Sequence, residues 1–191
     1  MTTAIRWRIM TLQVVFLLVF GFGAGLLMYE SNYITGTVHD QLAAQKISFP
    51  TTSSASFKAL PASDQQAMRP YAGQLLTTGA QAKVYANNYI GVHLSEVANG
   101  KTYAQVSAEA MAQPTNTTLA RQKATLFQGE MLRGTLLNAY GWWQFGQYLF
   151  LAGIGAAIAA VVVFGTFVFE LVLVLSRKPV VTSPQRAVSA A

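Results

Sequence analysis

The chain has 191 residues, of which 52% are hydrophobic and only 10% charged, against roughly 25% charged in a typical soluble domain. It contains no cysteine, which excludes disulfides, thiolate metal sites, cysteine nucleophiles and covalently attached c-type haem. The net charge is +6, but Arg6, Arg8, Arg177, Lys178 and Arg186 flank two apolar blocks and no basic run is interleaved with aromatics, so a nucleic-acid footprint is absent.

The first apolar block, 9–29, follows the short basic stretch 1–8 and has Thr11 and Gln13 as its only clearly polar members. At about 1.5 Å per residue it crosses a hydrocarbon core about 30 Å thick. A cleaved signal peptide has the same layout, but no Ala-x-Ala pattern follows the block, so an uncleaved transmembrane helix is expected. Trp7 marks one end of it, and Tyr29 and Tyr33 the other, as aromatic belts do at headgroup depth.

Residues 30–148 carry helix signals throughout. "ISFPTTSSASFKALPA", 47–62, has the Ser/Thr/Pro chemistry of a loop. Ser63 to Gln66 and Thr102 to Gln105 each read as a capping box. Between them Ala72, Leu76, Gly79, Ala82, Ala86, Tyr89, His93 and Val97 recur at helical spacing and predict one long helix with a small, weakly apolar face. Asn99-Gly100 is its natural stop, since glycine tolerates the left-handed turn. Pro114 ends the next helix, and a last one starts near Thr117 or Thr118 and continues into the second apolar block.

"LFQGEMLRGTLLNAYGWWQFG", 126–146, is the most distinctive stretch outside the apolar blocks. Glu130 and Arg133 are spaced to pair at i,i+3. Gly134, Asn138 and Gly141 share a face suited to close helix contact; a neighbouring helix of the same domain is the expected partner, ahead of a different subunit. The second block, 149–175, is longer than a perpendicular span requires and is expected to tilt or overshoot. Tyr140, Trp142, Trp143, Phe145 and Tyr148 mark its outer end. Both basic clusters lie away from these belts, so the positive-inside rule puts residues 1–8 and the tail 176–191 in the cytoplasm and 30–148 outside. The tail, "SRKPVVTSPQRAVSAA", reads as disordered by composition.

Chemistry is sparse. "GFGAG" at 21–25 and "GIGAA" at 153–157 complete no dinucleotide loop, and "GEMLRGT" at 129–135 lacks the lysine of a phosphate loop. Gly21 with Gly25, and Ala152, Ala156 and Ala160, read instead as small-residue ridges for helix packing in lipid, against the other span or against another protein. His93 and Glu96 lie three apart on a helix and are the weak metal candidates; a surface pair is the favoured reading, because a carboxylate-bridged di-metal site needs several more ligands. No G-x-S-x-G elbow is present. Glu170, alone inside the second block, costs about 2.5–3.5 kcal/mol at the centre of a span. Its nearness to the end of the run, with Arg8 and Gln13 of the first span at similar depth and Arg177 seven residues on along the same face, favours a tie within this chain or to a partner subunit over an edge position without a partner or proton handling.

"YANNYIGVHLSEVANGKTYAQVSAE" followed by "LFQGEMLRGTLLNAYGWW" resembles segments of uncharacterised two-span membrane proteins of actinobacteria, over about residues 70–146. That resemblance implies a bacterial plasma membrane and brings no catalytic residues with it. The layout also resembles the sensor half of bacterial chemoreceptors, but the residues after the second block are too few for a signalling domain. The expectation is therefore an all-α protein, two transmembrane helices flanking an extracytoplasmic helical domain. It is expected to be no enzyme, without cofactor, and to act as an accessory or scaffolding subunit whose partners are the lipid bilayer and other integral membrane subunits or itself. The alternative is an extracytoplasmic small-ligand binding or sensing module with a pocket near Tyr89, His93 and Glu96.

Overall fold

The structure, a computed structural model, describes residues 3–176 and is all-helical. Arg177 and the rest of the tail lie outside the described residues. The elements are α1 (Thr3–Ala44), α2 (Ala55–Lys58), α3 (Ala62–Met68) with a 3₁₀ turn at Arg69–Tyr71, α4 (Gly79–Tyr85), a π-helical turn (Ala86–Ile90), α5 (Gly91–Ala98), α6 (Tyr103–Ala112) and α7 (Thr117–Leu175). α1 and α7 run for 42 and 59 residues. Neither contains a proline to break it, so each continues well past the apolar block within it. Both are long and apolar enough to cross a membrane. The chain divides into two compact units, one formed by residues 3–26 with 152–176 and the other by Leu27–Leu151.

In the first unit α1 and α7 run antiparallel. On α1 the less exposed positions are Met10, Leu17 and Ala24, seven apart, with Gln13 and Phe20 between them. On α7 they are Gly153, Ala160, Phe167 and Val174, also seven apart, with Ala156, Val163 and Glu170 between. A strict seven-residue repeat is the seam of a left-handed two-helix supercoil. Ala24, Gly153, Ala156 and Ala160 are the small members of that seam, of the kind that lets helices approach closely, and Met10, Leu17, Phe20 and Phe167 fill the rest. The remaining faces are apolar and exposed, as at Phe22, Val161 and Phe169. Of the most apolar window in each helix, 11% of one and 0% of the other is buried. Exposed apolar faces of this extent point toward membrane association.

In the second unit the outer halves of α1 and α7 form a frame on which α2–α6 pack. Val38, Leu42, Leu126 and Leu136 of the frame join Phe57, Met68, Leu76 and Val106 in one core. Each such side chain contributes about 1.5–3 kcal/mol on burial. α1 ends where Lys46 takes a left-handed conformation, φ 53°. The chain then pairs briefly with 74–76: Leu76 N–H donates to Ile47 O at 2.8 Å and Phe49 N–H to Gln74 O at 2.9 Å.

Several local expectations change. Residues 47–62 contain a turn of helix, α2, capped by Ser54, whose hydroxyl accepts from Phe57 N–H at 3.2 Å. The Ser63 capping box does not form. Pro61 is the residue before α3, so Ser63 already lies inside the helix, its hydroxyl 3.4 Å from Asp64 Oδ2. The Thr102–Gln105 box does form, and Asn99 (φ 50°) and Gly100 (φ 78°) end α5 in the left-handed region.

The long helix expected from Ala72 starts only at Gly79. Thr78 caps it, and a further box closes between Thr78 and Gln81. The π-helical turn then inserts an extra residue, so the buried face continues through Ile90, Leu94 and Ala98. The positions expected to carry it, Tyr89, His93 and Val97, are rotated by one place. A π turn has no signature in hydrophobic spacing, which is why the period misplaced that face.

Candidate interaction groove and the polar clasp

Glu170 is not solitary. Arg6 Nη1 lies 3.3 Å from Glu170 Oε2, with the two side chains only 13% and 20% exposed. Arg8, the partner expected from depth alone, is exposed. Its side chain points some 200° around the helix from Arg6, whereas Arg6 shares the inward face of Met10 and Gln13. One helical step along, Gln13 Nε2 donates to Thr166 Oγ1 at 3.3 Å. Arg6 Nε and Gln13 Oε1 are buried without a partner among the described residues. The four side chains make a polar clasp on the apolar seam, and its geometry ties helix to helix.

The glycines separate into two groups. A Cβ on Gly79 would collide with Trp143 Cβ, one on Gly129 with Leu94 Cδ2, and one on Gly146 would lie 2.8 Å from Thr35 Cγ2. These three are packing glycines; sequence spacing placed Gly79 on a small, packing face and pointed to neither Gly129 nor Gly146. Gly21, Gly25, Gly134 and Gly141 have nothing within 4 Å of a built Cβ. Gly134, Asn138 and Gly141 are all exposed, and the two glycines touch no helix of the same domain among the described residues, whereas Asn138 lines a groove beside α1. Ala152 is likewise exposed, and the α7 ridge that meets α1 begins at Gly153.

Adjacent tryptophans explain the difference. Successive residues on a helix diverge by about 100°, so Trp143 packs onto Gly79 while Trp142, 54% exposed, faces outward. There it meets Phe145 edge to face at 6.2 Å and lines a groove of about 480 Å³ between α1 and α7. Tyr33, Thr37 and Gln41 stand along one wall, and Thr135, Asn138 and Trp142 along the other. The spacings i, i+4, i+8 and i, i+3, i+7 align each set into a stripe, and Val38 and Ala139 form the floor. A further hollow of about 310 Å³ continues past Gln41 and Thr135.

The histidine site has different chemistry. Tyr71, Phe49, Tyr85, Tyr89 and His93 form a run of rings with successive centroids 5.4, 5.2, 4.9 and 4.5 Å apart. Burial pushes the Tyr85 phenol above its usual 10.0, and the neighbouring Tyr89 adds to the effect. His93 Nδ1 is 2.8 Å from Tyr89 O. The carbonyl only accepts, so that nitrogen carries a proton. Glu96 is exposed, and no group of three or more potential metal ligands gathers among the described residues. Glu130 pairs with Arg133 at 3.4 Å, as the spacing predicts, and Arg133 Nη2 also donates to Asn87 Oδ1 at 3.1 Å, against the π turn.

No family model matches this chain, and neither a curated protein nor a solved structure matches it.

Proposed function

We propose that the chain is a non-catalytic accessory subunit of a larger integral membrane assembly, respiratory or transport in type. It sits in a bacterial plasma membrane through the apolar parts of α1 and α7, with both termini cytoplasmic and residues 30–148 outside. The observation that carries this reading is the open space at Gly21, Gly25, Gly134 and Gly141. Glycines in helix interiors cost about 0.5–1 kcal/mol each relative to alanine. Gly79, Gly129 and Gly146 offset that cost by admitting a neighbour within the chain, whereas these four leave room for a helix from outside it. Two apolar helices alone enclose no substrate path. The actinobacterial resemblance of 70–146 and the basic residues at both ends support the compartment and the orientation.

Purification from native membranes in mild detergent through a tag on this chain, followed by mass spectrometry, tests the reading. A stoichiometric integral membrane partner is expected, and its recovery should fall when Gly25 or Gly141 is replaced by Leu. Recovery of the chain alone contradicts the reading, and so does a partner indifferent to both substitutions. The second reading, a ligand-binding module, is favoured by the groove between α1 and α7 rather than by the ring stack at His93.

A further inference from the structure

We infer that the α1–α7 groove holds the uncharged, hydroxyl-rich headgroup of a membrane lipid, a neutral glycosyl diacylglycerol in class. The inference rests on the membrane reading above but not on a partner subunit. No charged side chain lines the groove, although the chain carries +6 overall. Phosphate headgroups are held by Arg and Lys, and here neither is offered.

The hydrogen-bonding polarity narrows the ligand further. Thr37 Oγ1 donates to Tyr33 O at 2.8 Å and Thr135 Oγ1 to Leu132 O at 2.8 Å. Both hydroxyl protons are committed to their own helices, so the two oxygens face the groove as acceptors. Gln41 and Asn138 add an amide carbonyl each, with an NH₂ beside it, and neither amide has a hydrogen-bond partner among the described residues. The lining therefore offers both acceptors and, from the two NH₂ groups, donors, and it offers them without a charge. A sugar hydroxyl donates and accepts at once and so matches both; phospholipid headgroups also carry donors, and it is the lack of a cationic side chain for their phosphate that sets them apart. Tyr33 and Trp142 supply apolar ring faces at the groove wall, suited to the C–H face of a pyranose. Tyr33 and Trp142 also belong to the aromatic belts expected at headgroup depth. A volume of about 480 Å³ lies within the range of small-ligand sites.

The test uses the full chain reconstituted in vesicles of equal parts phosphatidylethanolamine, phosphatidylglycerol and diglucosyl diacylglycerol, then released into mild detergent for native mass spectrometry. One glycolipid per chain is expected to be retained in preference to both phospholipids. Asn138→Leu and Gln41→Leu, both at exposed positions, should each lower its retention about five- to tenfold, the loss of about one hydrogen bond. Asn32→Leu, an exposed amide outside the groove lining, should leave it unchanged. Equal retention of phosphatidylglycerol, indifference to both groove substitutions, or displacement by free disaccharide at equal concentration would each overturn the inference while sparing the membrane reading. Recovery of the chain in the soluble fraction would overturn both.

Discussion

At the scale of single residues, identical side chains carry opposite meanings according to what faces them. Gly79 and Gly134 are both helical glycines, yet a Cβ collides with Trp143 at the first and meets nothing at the second. Gly79→Ala should lower stability by about 1–3 kcal/mol through overpacking. Gly134→Ala should leave stability equal or raise it by about 0.5–1 kcal/mol, because helix propensity then acts without a clash. Thermal unfolding of the two variants in one detergent checks both signs. The Arg6–Glu170 pair is the second case. Replacing either residue by Leu strands the other on an apolar seam, whereas replacing both removes the need for the pair. A double-mutant cycle on thermal stability should give a coupling of about 1–3 kcal/mol; additive losses would mean that the clasp holds nothing. The sequence flagged Glu170 as a tie within this chain or to a partner subunit. Depth alone suggested Arg8, and the angular position that selects Arg6 became clear only once Met10, Gln13 and Leu17 were seen to face inward.

Among the elements, what was legible followed local chemistry. The Thr102–Gln105 box, the Asn99-Gly100 stop and the unbroken run of α7 from Thr117 into its apolar half were readable because each depends on neighbours in sequence. The buried face of α5 was not, because the π turn at Ala86–Ile90 shifts it by one residue and hydrophobic spacing carries no mark of that shift. Nor was the α1–α7 groove, which depends on two stripes almost a hundred residues apart in the chain. Thr102→Ala should destabilise α6 by about 1 kcal/mol, seen as faster amide exchange across Tyr103–Ala112. The ring stack gives a pH signature. Tyr85 holds its proton more tightly folded than unfolded, so its contribution is fully present below the unfolded value of 10.0 and is lost as pH rises through the higher folded value. Stability should therefore fall once pH passes about 10, and Tyr85→Phe should flatten that fall; an unchanged slope would remove Tyr85 from the explanation.

For the molecule as a whole, the defining property is how much apolar surface is left without a partner. The second unit closes a core around Phe57, Met68 and Leu76, while the first is a bare pair of helices held by a narrow apolar seam and a polar clasp. In water such a pair has no reason to persist; in lipid its exposed faces cost nothing and its seam suffices. The chain should remain with membranes after high-salt and carbonate washes and be released only by detergent.

The most direct measurement places a photoreactive side chain at Gly141, and in a separate variant at Lys123 as a half-buried control, and irradiates intact native membranes. A single discrete adduct with a different integral membrane protein from position 141, and none from position 123, is the result predicted for a subunit docked on its open glycine face. Adducts confined to lipid or to the chain itself, or the same products from both positions, would contradict it.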